Sequence, residues 1–257
     1  MAIKLQKITY KNILKEIDCE IEDGKIYTIL SLDKLEKDTL SKIIIGSIND
    51  YDGKITKSCT ENKIKYVDQN CKDIFICDTV YEELKLPINN MKTETINKKI
   101  DFILKIMNLD NNIKYTNPNN ISSGEKKLLS IGVSLITNPR ILIIDEVNDL
   151  DDYHKKVLIK LFKKIAKKYN KTIIIFSNDV LFSNEVCDEF ILLKEGKIIV
   201  KSCKKDLLNI IDKLINSGYQ IPKIIEFINN VYKKKNISLN ITYDIKELMK
   251  DIYRNAK

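Results

Sequence analysis

Short apolar runs alternate with longer amphipathic stretches along this chain. Residues Ile3–Ile8, Lys25–Leu30, Ile64–Val67, Ile141–Asp145, Thr172–Ser177, Glu189–Leu193 and Lys197–Val200 are rich in Ile and Val, and most run without polar alternation. That pattern suits strands buried on both faces, so a mostly parallel sheet flanked by helices is expected. The stretches between them carry helical periodicity. "EIEDGKIYTI" and "LKEGKIIV" place Asp-Gly or Glu-Gly between apolar runs and read as tight turns. From about Lys205 the pattern turns helical and amphipathic, broken at Gly218 and Pro222. A small helical C-terminal domain over 205–257 is therefore expected after a larger α/β unit over 1–204, and no internal repeat or low-complexity linker divides the chain.

Composition narrows the functional classes. With 257 residues, 44% of them hydrophobic, the chain can bury a full core. Its longest apolar runs, such as "ILII" and "TIIIF", fall far short of the ~20 residues of a membrane span. The start "MAIKLQKITYKN" lacks the unbroken apolar core of a secretion signal, so any membrane role calls for a membrane partner. Cys19, Cys59, Cys71, Cys77, Cys187 and Cys203 are scattered without a CxxC pair, which favours a reduced cytosolic setting over a disulfide or metal framework. The net charge of +8 comes from dispersed lysines without interleaved aromatics, so no nucleic-acid partner is expected.

Two segments carry candidate chemistry. In "YTILSLDKLEKDTLSKIIIG" a strand enters a polar turn and then a helix, the layout of a phosphate-binding loop, yet the turn holds no glycine. Asp33 and Glu36 also stand in the D-x-x-E spacing of a capping box, so a helix that starts three or four residues early, filling the loop with a capped turn, is the expected alternative. In "NNISSGEKKLLSIGVSLITNPRILIIDEVNDLDD" a polar turn opens a helix, and a buried strand then delivers Asp145 and Glu146 at its tip. One such carboxylate can hold Mg²⁺ while its neighbour polarises an attacking water; both can also simply cap the next helix.

The block "ISSGEKKLLSIGVSLITNPRILIIDEVNDLD" resembles the signature-to-Walker-B region of ATP-binding-cassette (ABC) ATPases, in which an LSGGQ motif precedes an Asp-Glu strand end. "YVDQN", with Gln69, and "TIIIFSND", with Asn178 where the family has its switch histidine, follow the same order. The resemblance covers residues 1 to about 204. It implies a P-loop NTPase-like cassette with a mostly parallel core, an antiparallel β part and a helical subdomain at about 78–135. The tail resembles the C-terminal domain of the A components of energy-coupling-factor (ECF) importers.

The resemblance implies ATP and Mg²⁺ as cofactors and assigns roles residue by residue. Ser31, Lys34, Glu36, Lys37, Asp38 and Thr39 fall on the phosphate loop, and Tyr10 on the adenine-stacking aromatic, although a core or surface tyrosine fits it as well. Glu146, Gln69 and Asn178 fall on catalytic positions. Asp145 and Gln69 fall on Mg²⁺ positions. Ser122, Ser123, Gly124 and Glu125 form the signature, and Asp151, or else Asp152, the Leu-Asp loop. Within the loop only Lys37 and Thr39 match the family, while Glu36 replaces a glycine and Asp38 the Mg²⁺-ligating hydroxyl. Family cassettes pair head to tail, each ATP lying between one chain's loop and the other's signature. The expected role is thus the degenerate half of a heterodimeric importer ATPase at the cytoplasmic face of the membrane, bound to a second cassette and a transmembrane subunit through residues 71–87. A divergent active homodimer and a non-hydrolytic structural or regulatory subunit are the alternatives.

Overall fold

The computed structural model describes residues 1–69, 75–147, 150–235, 237, 239–241 and 245–255. Strands β1 (Ile3–Tyr10), β2 (Leu14–Ile21) and β4 (Asp52–Lys57) form an antiparallel sheet in the order β2-β1-β4. The larger sheet contains β3 (Ile26–Leu30), β5 (Ile64–Val67), β6 (Ile141–Asp145), β7 (Thr172–Ser177), β8 (Glu189–Lys194) and β9 (Lys197–Cys203). Its order is β5-β6-β7-β3-β8-β9, parallel throughout except for the antiparallel β8–β9 hairpin. This is the α/β architecture that the apolar runs and the resemblance imply.

Side chains alternate across a pleat, so each central strand feeds two cores. Tyr27, Ile29, Ile141, Ile143, Ile174 and Phe176 point to one side, where the antiparallel sheet and helix α1 (Lys34–Ile45) cover them. Ile26, Leu30, Leu142, Ile144, Ile173 and Ile175 point to the other. There they meet α2 (Val80–Lys85), α3 (Thr93–Ile106), α4 (Ser123–Ile136), α5 (Asp152–Tyr169) and α6 (Val180–Val186). The helical segment at 78–135 thus corresponds to α2–α4. Gly132 lets α4 approach α3, since a Cβ there would lie 2.9 Å from Ile103 Cγ2.

The tail is less separate than its sequence pattern suggests. Helix α7 (Leu207–Asn216) buries Leu207, Ile210, Ile211 and Leu214 in the same cluster as the sheet, joined by Tyr219, Ile221 and Ile225. A cluster of the tail's own is centred on Ile228 of α8 (Lys223–Lys235), Leu239 and Leu248 of α9 (Ile245–Asn255). Among the described residues no helix is long and apolar enough to cross a membrane.

Two strands escaped the apolar-run reading. β2 alternates strictly enough to bury Leu14, Ile17, Cys19 and Ile21, but half its residues are polar; β4 is largely exposed. Phe162 of α5, fully buried, packs on the central sheet. Phe162→Ala should therefore lower stability by about 3–5 kcal/mol, measured by urea denaturation of the purified chain.

Candidate functional site

The carboxyl ends of β3, β6 and β7 lie side by side, where open α/β sheets gather ligands. β3 leads into Ser31, Leu32 and Asp33, and α1 begins at Lys34. Asp33 is the N-cap, its carboxylate accepting the Leu35 amide at 2.8 Å. The early helix start is thus realised, though by half of the expected capping box. Glu36 does not reach back to the Asp33 amide. It turns inward, 3% exposed, and accepts hydrogen bonds from the Gly196 amide at 2.5 Å and Ser31 Oγ at 2.7 Å. Gly196 belongs to the β8–β9 turn, where Glu195 and Gly196 both adopt positive φ, so the turn read from "KEGK" supplies the donor.

Lys37 follows on the same helix and is 4% exposed. Its ammonium forms a salt bridge with Glu146 Oε1 across the cleft. Glu146 sits one residue beyond β6, in the left-handed region at φ 52°, with its amide bonded to the Phe176 carbonyl. Burial pushes its carboxyl pKa up, against the Lys37 ammonium, which favours the charged form. Burial likewise raises Asp145, which accepts a hydrogen bond from Tyr66 at 3.2 Å. Thr39 is buried, Asp38 half-buried and Lys34 exposed.

The other assigned positions surround this pair. Gln69 is half-buried just past β5. The Asn178 side-chain oxygen is buried without a hydrogen-bond partner among the described residues, as is Glu146 Oε2. Tyr10 ends β1, half-buried, with the Lys11 ammonium 5.0 Å from its ring centre. Asp145 and Glu146 do not cap the next helix. Asp151 does, accepting from the His154 amide at 2.8 Å, so Asp152 is the first residue of α5. Of the segment 71–87 assigned to a membrane partner, 71–74 lie outside the described residues, as do 148–149 in the Leu-Asp loop.

The residues that the resemblance assigns to the signature form the N-terminus of α4. Ser122 and Glu125 make a complete capping box: Ser122 Oγ accepts the Glu125 amide at 3.3 Å, and Glu125 Oε2 accepts the Ser122 amide at 2.9 Å. The S-x-x-E spacing of Ser122 and Glu125 is the sequence signal for this cap. Ser122 and Ser123 are exposed, whereas Gly124 is buried against the His154 ring, 2.9 Å from where a Cβ would stand. A residue that sequence reasoning missed is Lys127, one helical turn further on. Its buried ammonium donates to the carbonyls of Asp68 at 2.7 Å and Asp145 at 2.9 Å, tying α4 to the ends of β5 and β6.

The fold and the placement of these motifs define an ATP-binding-cassette type of protein. The family model described as ABC transporter matches residues 14–148, just over half of the chain. A putative ABC transporter ATP-binding protein of Clostridium tetani is 29% identical over 246 residues, 90% of this chain. The match spans only 54% of that longer relative. The energy-coupling factor transporter ATP-binding protein EcfA1 of Mycoplasmopsis pulmonis is 27% identical over 226 residues, covering 80% of this chain and 84% of the relative. Among solved structures, cbiO1 of Clostridium perfringens, described as part of the ABC transporter complex cbiONQ, superposes with a TM-score of 0.75. It is 24% identical and the match covers 88% of this chain and 98% of that one, a likeness of fold. The chain belongs to the ABC transporter family.

The buried pair makes a pH-dependent expectation. Lys37→Met strands Glu146 as a buried, uncompensated carboxylate, which should cost about 3–5 kcal/mol near neutral pH. With its folded pKa raised above the unfolded value, Glu146 binds a proton in the folded state first, so folding is favoured below that pKa and loses stability as pH rises through it. The penalty of Lys37→Met should therefore shrink in mildly acidic buffer, as read by paired urea titrations at the two pH values.

Proposed function

We propose that this chain is the degenerate cassette of a two-cassette ABC importer ATPase of the ECF type, which does not hold Mg-ATP in its own loop and lends its signature to a partner cassette. The observation that carries this reading is the loop itself. Glu36 places a carboxylate, fixed by Ser31 and Gly196, where the family loop has glycine, and Lys37 is already neutralised by Glu146. A triphosphate would have to displace a buried ion pair and sit beside carboxylates of like charge. The residues present at Ser31–Thr39 and Asp145–Glu146 therefore do not fit Mg-ATP. No hydrolytic step is assigned to Glu146, Gln69 or Asn178 in this chain.

The signature end favours a contribution in trans. Ser122 and Ser123 are exposed at the start of α4, a helix of 14 residues whose N-terminal amides and dipole favour an anion. Gly124, held against His154, keeps that end compact. The Ser122 hydroxyl donates to Glu125 at 2.7 Å in the isolated chain, so it must turn outward to meet a partner's phosphate. On this reading the ATP and Mg²⁺ belong to the partner's loop. A transmembrane subunit docks on the segment 71–87, and the complex lies on the cytoplasmic face of the membrane. The similarity to EcfA1 and the extent of that match support the ECF assignment.

The test is the ATPase of the assembled complex carrying Ser122→Ala in this chain alone. Losing a hydrogen bond to a partner's phosphate should lower kcat about 10²-fold, with complex assembly retained. Unchanged turnover would contradict the shared-site reading and leave a structural subunit.

A further inference from the structure

Helix α7 ends in a turn whose geometry is fully specified. Gly218, at φ 92°, donates to the Ile215 carbonyl at 2.9 Å, and Tyr219 donates to Leu214 at 3.0 Å. These two bonds are the paired C-terminal closure that needs a left-handed residue, here glycine, and directs the next side chain back over the helix. The directed side chain is Tyr219. It is 6% exposed and joins the cluster containing Leu30 at the end of β3.

Two contacts place this turn on the glycine-free loop. A Cβ on Gly218 would lie 3.2 Å from Leu32 Cδ1, so the turn abuts the loop's tip. Lys194 donates to the Asn216 carbonyl at 3.0 Å, fastening the end of α7 to β8, two residues before the Gly196 amide that holds Glu36. The Tyr219 hydroxyl is buried without a hydrogen-bond partner among the described residues. Burial chiefly, and the nearby Glu146 and Glu36 carboxylates, raise its pKa. An unpaired buried hydroxyl is costly, so the ring is held there by packing and not by the polar contact it could make.

We propose that the turn between α7 and α8 is a built-in lid on this chain's own vestigial site, with Tyr219 as the plug that keeps the loop Ser31–Lys37 closed. The proposal deepens the reading of that site as one that does not hold nucleotide. It makes the C-terminal unit, in place of a bound ligand, the element that sets the loop's state. A partner that shifts α7 would then be felt at Lys37 and Glu146.

Hydrogen exchange on the full purified chain tests this without nucleotide. Tyr219→Ala should speed exchange of the amides at 31–38 about tenfold and leave the β1–β2–β4 sheet at the wild-type rate. Tyr219→Phe, which keeps the ring and removes the unpaired hydroxyl, should protect 31–38 at least as well as wild type. Unchanged exchange at 31–38 in Tyr219→Ala would overturn the lid, and so would an increase shared equally by the distant sheet, which would mark Tyr219 as core packing only. Repeating the wild-type run with Mg-ATP separates the two readings. Protection of 31–38 by nucleotide would remove the vestigial-site reading, while the Tyr219→Ala comparison without nucleotide would still decide the lid.

Discussion

The buried contact between Lys37 and Glu146 is the interaction on which the rest of the site depends. A lysine at the start of α1 and a glutamate at the tip of β6 each carry a charge out of water, and neither is stable there alone. In a family cassette, phosphate would neutralise the lysine. Here the protein supplies its own counterion. Glu36 repeats the device nearby, since its carboxylate takes the Gly196 amide and the Ser31 hydroxyl as donors. The charged groups of the loop are therefore satisfied from within, and its helix starts at Lys34 under the Asp33 cap.

That internal closure propagates outward through well-defined elements. The β8–β9 turn is tied to Glu36, the end of α7 is tied to β8 by Lys194, and the α7–α8 turn lies on Leu32. On the opposite flank Lys127 clamps the signature helix to the carbonyls of Asp68 and Asp145. The start of α4 and the loop at Ser31–Lys37 are consequently linked through the ends of the central strands.

Much of this was legible in the residues. Uninterrupted Ile and Val runs located the parallel strands because burial on both faces leaves no polar alternation, and the Asp-Glu strand end and Ser-Ser-Gly-Glu turn stood out as chemistry. The alternating β2 and the exposed β4 were not legible, because half of β2 and most of β4 face water. The Asp33–Glu36 spacing predicts a reciprocal cap, yet only Asp33 caps; the distant Gly196 amide and the nearby Ser31 hydroxyl bind Glu36 in place of the local amide. The partner of Lys37 lies 109 residues away, so no local pattern could announce it. Lys127 and Tyr219 were invisible for the same reason: one reads as an ordinary helix-surface lysine and the other as part of an amphipathic tail.

The most direct measurement of the central claim is an equilibrium titration of the purified chain with Mg-ATP, run beside Lys37→Ala. An internally neutralised loop requires that the wild-type chain show no saturable binding, or binding indifferent to Lys37. Tight binding that disappears in Lys37→Ala would contradict the account, because it would mean that the Lys37–Glu146 pair opens readily and the glycine-free loop still holds phosphate.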